Sequence, residues 1–102
     1  KEQIILDPGV GFAKSPAQNI EVIRHLDDIA VWGYPVLLGT SRKSFIGQVL
    51  DLPVDQRLEG TGATVCYGIT KGAGIVRVHD VKQIARMVKM MDALIGKGDW
   101  HG

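Results

Sequence analysis

Three short apolar runs recur along the chain, and each is followed by a polar loop and then by a helical pattern. The runs lie at residues 3–6, 36–38 and 75–78; the third carries Arg77, and residues 4–6 of the first are apolar without alternation. Such runs are typical of parallel strands that are covered on both faces. The intervals between them are long enough for right-handed crossovers. The pattern therefore predicts an α/β fold built from three consecutive strand–helix units.

Helix signals separate the runs. We expect helices over residues 15–31, 45–50, 56–70 and 80–96. The first begins with a capping pattern of Ser15, Pro16 and Gln18, and the last begins with Asp80 as an N-cap and Gln83 three residues later. Glycines inside the third helix predict close approach to neighbouring elements.

Composition narrows the class of protein. The chain has 102 residues, of which 45% are hydrophobic and 23% charged, and its net charge is +1. This profile is typical of one ordinary globular unit and gives no footprint for nucleic acid or a membrane surface. No apolar run approaches the roughly 20 residues that span a bilayer. The single cysteine, Cys66, favours a reducing, cytoplasmic setting.

The ends of the sequence favour a piece of a larger protein. Lys1 stands almost directly before the first apolar run, and the residues after Gly96 have the composition of a tail. A closed (β/α)8 barrel takes roughly 250 residues, so this chain could supply about three of eight units. We therefore expect residues 1–98 to be the C-terminal part of a longer domain and residues 99–102 to be a tail.

Polar and charged side chains gather just after each predicted strand, in residues 7–14, 39–44 and 77–80. The carboxyl ends of parallel strands meet at one edge, where parallel α/β proteins of both barrel and open-sheet type build their sites. Three loops with charged groups at the same edge predict a shared site.

Residues of the first and third loops each allow two interpretations. Asp7 is either a turn-forming aspartate or a carboxylate that accepts from paired N–H donors of a ligand. Arg77 and His79 share one face if they lie on a strand. A buried Arg77 needs either an internal ion pair, such as one with Asp7, or an anionic ligand.

The second loop also has two interpretations. Free backbone N–H groups at a helix start would attract an anion, and Arg42, Lys43 and Ser44 would add donors. Alternatively, Ser41 and Ser44 are caps, and the two cations are solvated.

Familiar motifs do not fit. Residues 9–14 lack the last glycine of a dinucleotide fingerprint, and residues 39–44 lack the glycine before the lysine of a P-loop. Ser41, His79 and Asp80 could be imagined as a hydrolytic set, but no nucleophile elbow surrounds the serine. No Cys/His cluster has zinc spacing.

Four blocks in order resemble bacterial dihydropteroate synthase: residues 7–14, 38–45, 57–61 and 76–80. The resemblance covers nearly the whole chain, and the four ordered blocks are together highly specific. It implies a (β/α)8 TIM barrel, of which this chain would hold strands six to eight with their helices. It also implies a folate-pathway transferase that joins 4-aminobenzoate to 6-hydroxymethyl-7,8-dihydropterin diphosphate and releases diphosphate.

The resemblance assigns catalytic roles to three residues. Asp7 resembles the carboxylate that holds the pterin ring. Lys43 resembles the lysine that donates to the pterin. Arg77 resembles the guanidinium that stacks on the ring and lies near the diphosphate.

The resemblance also implies further substrate contacts. His79 resembles a diphosphate contact, and Ser44 resembles the contact of the aminobenzoate carboxylate. Phe12 would form a wall, and Gly39 belongs to the same substrate-binding set. The partners would be these small molecules, with no nucleic acid and no membrane.

The implied cofactor is Mg²⁺, whose asparagine ligand belongs to the first half of the barrel, so no metal ligand is expected here. The family's outer helices near the C-terminus form a homodimer contact, and those helices are retained. Because the first part of the barrel is missing, we expect little turnover from these 102 residues alone. The alternatives are a non-catalytic fragment that binds pterin or an anion, and a half-barrel that associates with itself.

Overall fold

The computed structural model describes residues 5–10 and 15–96. Two strands, β1 (Val36–Leu38) and β2 (Ala73–Val76), pair in parallel. Leu6 forms a parallel bridge to Val36, so β1 lies between this segment and β2. The predicted parallel α/β arrangement is therefore confirmed for β1 and β2. The first predicted strand is not seen as a buried strand: Ile5 is exposed, Leu6 forms only this single bridge, and residues 3 and 4 lie outside the described residues.

The predicted order of helices is also confirmed. The described residues form α1 (Pro16–Arg24), α2 (Leu26–Ala30), α3 (Ser44–Leu50), α4 (Leu58–Thr70) and α5 (Val81–Leu94), with a 3-10 turn at Val54–Gln56. In residues 5–10 and 15–96, no helix combines the length and apolar character that crossing a bilayer requires.

The capping signal at the start of α1 is confirmed, but the expected length of this helix is wrong. The Gln18 N–H donates to Ser15 Oγ, and the Ser15 N–H donates to Gln18 Oε1 over 2.8 Å. The backbone leaves helical geometry at His25, with φ −109° and ψ 23°, and α2 begins at the next residue. This break divides the predicted helix into two parts, and the first residue of the second part, Leu26, is buried.

The core lies between the strands and the helices. Its larger cluster consists of Val10, Ile23, Leu26, Val36, Leu38, Phe45, Ile46 and Ala73, and a second cluster consists of Val65, Ile69 and Ile84. The sequence spacing predicts an inner stripe of Ile20, Ile23, Leu26 and Ala30, and it is confirmed: Ile23 and Leu26 belong to the larger cluster, and Ile20 and Ala30 pack against it. The helical spacing of Ile84, Met87, Val88, Met91 and Ile95 predicts one apolar stripe on α5. The first four belong to or pack against the second cluster, whereas Ile95 lies beyond the last residue of the helix and is exposed.

The glycines of α4 allow the close packing that the sequence predicts. A Cβ atom would overlap Ile46 at Gly60, Met87 at Gly62 and Leu38 at Gly68. Helix α4 therefore packs closely against α3, α5 and β1, and this packing holds the loops after the strands in place.

Candidate functional site

Two strand tips form a small cavity. Gly39, Ser41, Lys43, Arg77, Val78 and His79 line about 150 Å³ of space. The first three follow β1 and the last three follow β2. The structure thus brings together four of the residues singled out from the sequence: Gly39, Lys43, Arg77 and His79.

Arg77 lies just beyond β2, which differs from the expectation of an arginine within a strand. The strand covers Ala73–Val76, two residues earlier than predicted, and Arg77 is exposed. Water can therefore solvate the guanidinium, and no buried ion pair is required. The Arg77 side chain packs against Gly39, where a Cβ would stand 3.0 Å from Nη2. Glycine at position 39 makes room for this side chain.

His79 is held by Ser41, a contact that the sequence did not predict. The buried Ser41 Oγ accepts the His79 backbone N–H over 2.9 Å and lies 2.9 Å from Nδ1 of the ring. The Ser41 hydroxyl is therefore engaged with both the backbone and the ring of His79. Asp80 does not complete a hydrolytic set, because its carboxylate pairs with Arg42. Ser41, His79 and Asp80 therefore do not form a triad in this structure.

Lys43 connects the second loop to the first. Its ammonium donates to the backbone carbonyl of Val10, which is buried. The loop that follows the Leu6 bridge is thereby fixed next to the start of α3. Ser44 is the first residue of α3, and its side chain is exposed.

Asp7 occupies a different place. Its Oδ1 accepts the Gly9 N–H over 2.8 Å, which is the turn-forming role. Asp7 lines a separate groove of about 430 Å³, together with Leu6 and Trp32. The structure does not bring Asp7 into the cavity of Lys43 and Arg77. Phe12 lies outside the described residues.

Arg42 is ion-paired rather than only solvated, and Asp80 occupies the predicted N-cap position of α5 without capping the helix through its side chain. The Arg42 guanidinium donates from Nε to Asp80 Oδ2 over 3.1 Å and from Nη2 to Oδ1, so the pair is bidentate. Helix α5 has no side-chain cap, because the carboxylate of Asp80 is turned to this arginine. Hydrogen bonding to Arg42 holds the pKa of the Asp80 carboxyl below its usual range.

The lowered pKa makes the stability of the pair depend on acid. Its contribution is present above the ordinary carboxyl pKa of 3.8 and is lost as the pH falls through the lower pKa of the folded state. We expect Asp80→Asn to lower the Tm at pH 7, and we expect the difference from the parent to shrink as the pH is lowered below about 4. Thermal unfolding followed by circular dichroism over this pH range measures the difference. A difference that stays constant with pH would contradict the pairing.

Two further residues support the second loop. The Arg57 guanidinium donates to the Arg42 carbonyl over 3.0 Å, and Thr61 Oγ1 accepts the Arg42 N–H over 3.0 Å. Sequence reasoning gave these residues no role, although they stand in one of the four resembling blocks. The feature of the sequence that could have identified them is their position in that block, next to the glycines of α4.

The described residues contain no group of three or more His, Cys, Asp or Glu side chains that could hold a metal ion. The polar side chains around the cavity are two cations, an imidazole and a hydroxyl, which suit an anion rather than a cation. The part of the chain that the structure describes therefore does not fit a Mg²⁺ site by itself.

Comparison with known proteins gives the family. The model of the family described as pterin binding enzyme matches residues 1–79. The chain is 64% identical over 101 residues to the dihydropteroate synthase of Bacillus subtilis; the match covers 99% of this chain and 35% of that protein. It is also 56% identical over 94 residues to the dihydropteroate synthase of Synechocystis; this match covers 91% of this chain and 32% of that protein. The chain thus spans about a third of these relatives and matches their C-terminal portion.

Solved structures agree. The dihydropteroate synthase of Clostridium difficile, crystallised in the presence of pteroic acid, superimposes with a TM-score of 0.88 at 56% identity, over 92% of this chain and 36% of that one. The Thermus thermophilus enzyme in complex with 4-aminobenzoate gives a TM-score of 0.87 at 39% identity, over 92% and 39% of the two chains. From the family match over most of its length, the chain belongs to the pterin binding enzymes.

Proposed function

We propose that this chain forms the C-terminal part of a dihydropteroate synthase. It would supply strands six to eight of a (β/α)8 barrel, with residues 1–98 in the barrel and residues 99–102 as a tail. The whole enzyme would transfer the dihydropterin-methyl group from its diphosphate ester to 4-aminobenzoate and release diphosphate. The observation that carries this proposal is the cavity at two parallel strand tips, where Lys43, Arg77 and His79 meet.

The chemistry of the cavity suits a diphosphate leaving group. Negative charge develops on the diphosphate as its bond to the pterin methylene breaks, and fixed donors lower the barrier by stabilising that charge. Arg77 offers a planar fork that matches phosphate oxygens, and His79 offers a ring held by Ser41. We assign both residues to the diphosphate.

The pterin and the aminobenzoate would occupy adjoining positions. Lys43 would donate to the pterin, and the flat guanidinium of Arg77 would also stack on its ring. Gly39 gives Arg77 the space to lie along the cavity wall. Asp7 would hold the pterin from the first loop, which Lys43 fixes through Val10.

We assign the aminobenzoate carboxylate to Ser44 at the start of α3, with Phe12 as a wall. The Clostridium difficile structure was determined in the presence of pteroic acid, and the Thermus protein is in complex with 4-aminobenzoate. These compounds support small-molecule substrates for this chain.

Three further properties belong to the same proposal. Mg²⁺ would be bound by the part of the relatives that this chain does not match. A homodimer would form through the outer helices, and the exposed Met90 and Leu94 of α5 support this surface. Sedimentation velocity would test the dimer. The cytoplasmic location rests on the lone cysteine.

A segment exchange tests the proposed function. The C-terminal segment of the Bacillus subtilis synthase that matches this chain would be replaced by residues 1–102, and the same enzyme without any such segment would be the control. We expect the exchanged enzyme to keep kcat/KM within about tenfold of the parent, which is about 1.4 kcal/mol in activation free energy. The control should be inactive.

Two outcomes would count against this proposal in different ways. A folded exchanged enzyme that binds pteroic acid in calorimetry but gives no product would support the non-catalytic alternative. A folded exchanged enzyme that neither binds pteroic acid nor turns over would remove both.

A further inference from the structure

We infer that Arg42 is a positioning residue: its left-handed backbone, held from three sides, sets the places of Ser41 and Lys43 in the cavity. The kinetic consequence rests on the proposed function. The positional consequence concerns only contacts within the chain.

The backbone of Arg42 is unusual and well supported. Its φ is 54°, in a region that residues other than glycine rarely adopt. Both backbone groups of Arg42 are hydrogen-bonded. Thr61 Oγ1 of α4 accepts the Arg42 N–H, and the guanidinium of Arg57, which directly precedes α4, donates to the Arg42 carbonyl. Thr61 is fully buried, so the first of these bonds has a rigid acceptor.

The side chain of Arg42 provides the third support. Two of its nitrogen atoms, Nε and Nη2, donate to the carboxylate of Asp80, which lies after β2 and directly before α5. Lysine could supply the charge but not the planar fork, because its ammonium is a point charge on a flexible chain. Arginine therefore adds a geometric link between the loops after β1 and β2.

This arrangement transmits position to the residues that line the cavity. Ser41 and Lys43 directly precede and follow Arg42 in the sequence. The turn at Arg42 therefore fixes the directions in which their side chains point from the backbone. Ser41 in turn holds His79, and Lys43 holds the Val10 carbonyl. Arg42 is not among the residues described as lining the cavity, and its role is exerted through these neighbours.

Two variants and one matched control test the inference. Arg42→Gly keeps a backbone suited to positive φ but removes the link to Asp80. Arg42→Lys keeps the charge and loses the fork. Asp51→Gly is the control, because Asp51 also has a left-handed backbone, with φ 58°, and lies at the exposed end of α3. It shows what a glycine at such a position does away from the cavity.

The first measurement is amide hydrogen exchange by NMR in the 102-residue chain. We expect Arg42→Gly to speed exchange of the Lys43 and His79 amides by about tenfold or more, with Arg42→Lys intermediate and the buried Val65 of α4 unchanged. Asp51→Gly should leave all of these amides unchanged. Unaltered exchange at Lys43 and His79 would overturn the inference. Equal acceleration at Val65 would also overturn it, because Arg42 would then stabilise the fold only.

The second measurement is the kinetics of the exchanged enzyme. A displacement of catalytic groups by about 1 Å can cost about 10²-fold in rate. We expect Arg42→Gly to lower kcat/KM for the pterin diphosphate by about tenfold or more, and Arg42→Lys to restore part of it. An active Arg42→Gly enzyme with parental kinetics would overturn the inference. If the enzyme with the unmutated replacement segment is itself inactive, the proposed function fails. The amide hydrogen-exchange rates of the 102-residue chain still decide the positioning role.

Discussion

Arg77→Ala in the exchanged enzyme should lower kcat/KM for the pterin diphosphate by about 10³-fold. Removing one fixed donor from a developing negative charge costs about 10²–10³-fold, and Arg77 has two proposed roles, at the diphosphate and on the pterin ring. The guanidinium is exposed beside the cavity and packs on Gly39, so its loss leaves no core void. Steady-state kinetics and thermal unfolding together separate lost function from lost structure.

The control for Arg77 is another arginine. Arg24, at the end of α1, forms an exposed ion pair with Glu21, and such pairs contribute little stability. Arg24→Ala should leave both kcat/KM and Tm close to those of the parent. Arg77→Lys should recover only part of the loss, because an ammonium cannot lie flat on a ring. Parental kinetics in Arg77→Ala would contradict the assigned role.

Gly68→Val should destabilise the fold by about 3 kcal/mol. Gly68 lies in α4 where a Cβ would overlap Leu38, and Leu38 is fully buried in the central strand. Leu26 and Ala73 stand close to the same point, so Leu38 has no free space into which it can move. Helix propensity changes by only about 0.4 kcal/mol between glycine and valine, and packing therefore decides the sign.

The matched control is Gly62→Val in the same helix. The same substitution at Gly62 meets Met87, a flexible side chain that is only partly buried and can change rotamer. We expect a loss below about 1 kcal/mol. Urea unfolding of both variants measures the difference directly. Equal losses at the two positions would mean that valine disturbs α4 itself rather than its packing on β1.

The main architecture was accessible from the sequence because local signals carried it. Unbroken apolar runs predicted parallel strands, and Ser15 with Gln18 predicted a capped helix that the structure confirms. The glycines of α4 were correctly interpreted as points of close approach. Each of these features depends on residues near one another in the chain or on the burial of a whole face.

The pairing of polar groups across the fold was less accessible. Asp80 has every local feature of an N-cap, yet a long-range partner, Arg42, takes its carboxylate. His79 and Ser41 are similarly far apart along the chain, and their contact depends on the register of β1 against β2. That register, which has an irregularity after Val36, cannot be predicted from either strand's sequence alone. The end of β2 was misplaced for the same reason.

Arg57 contacts α3 and also the loop that leads into the cavity. A side chain at Gly47 would overlap the Arg57 guanidinium, the same group that donates to the carbonyl of Arg42. A bare backbone inside α3 is thus connected, through one arginine, to the turn that carries Lys43. The shape of the cavity therefore depends on how α3 packs against Arg57, and residues that do not line the cavity help to set the position of Lys43 within it.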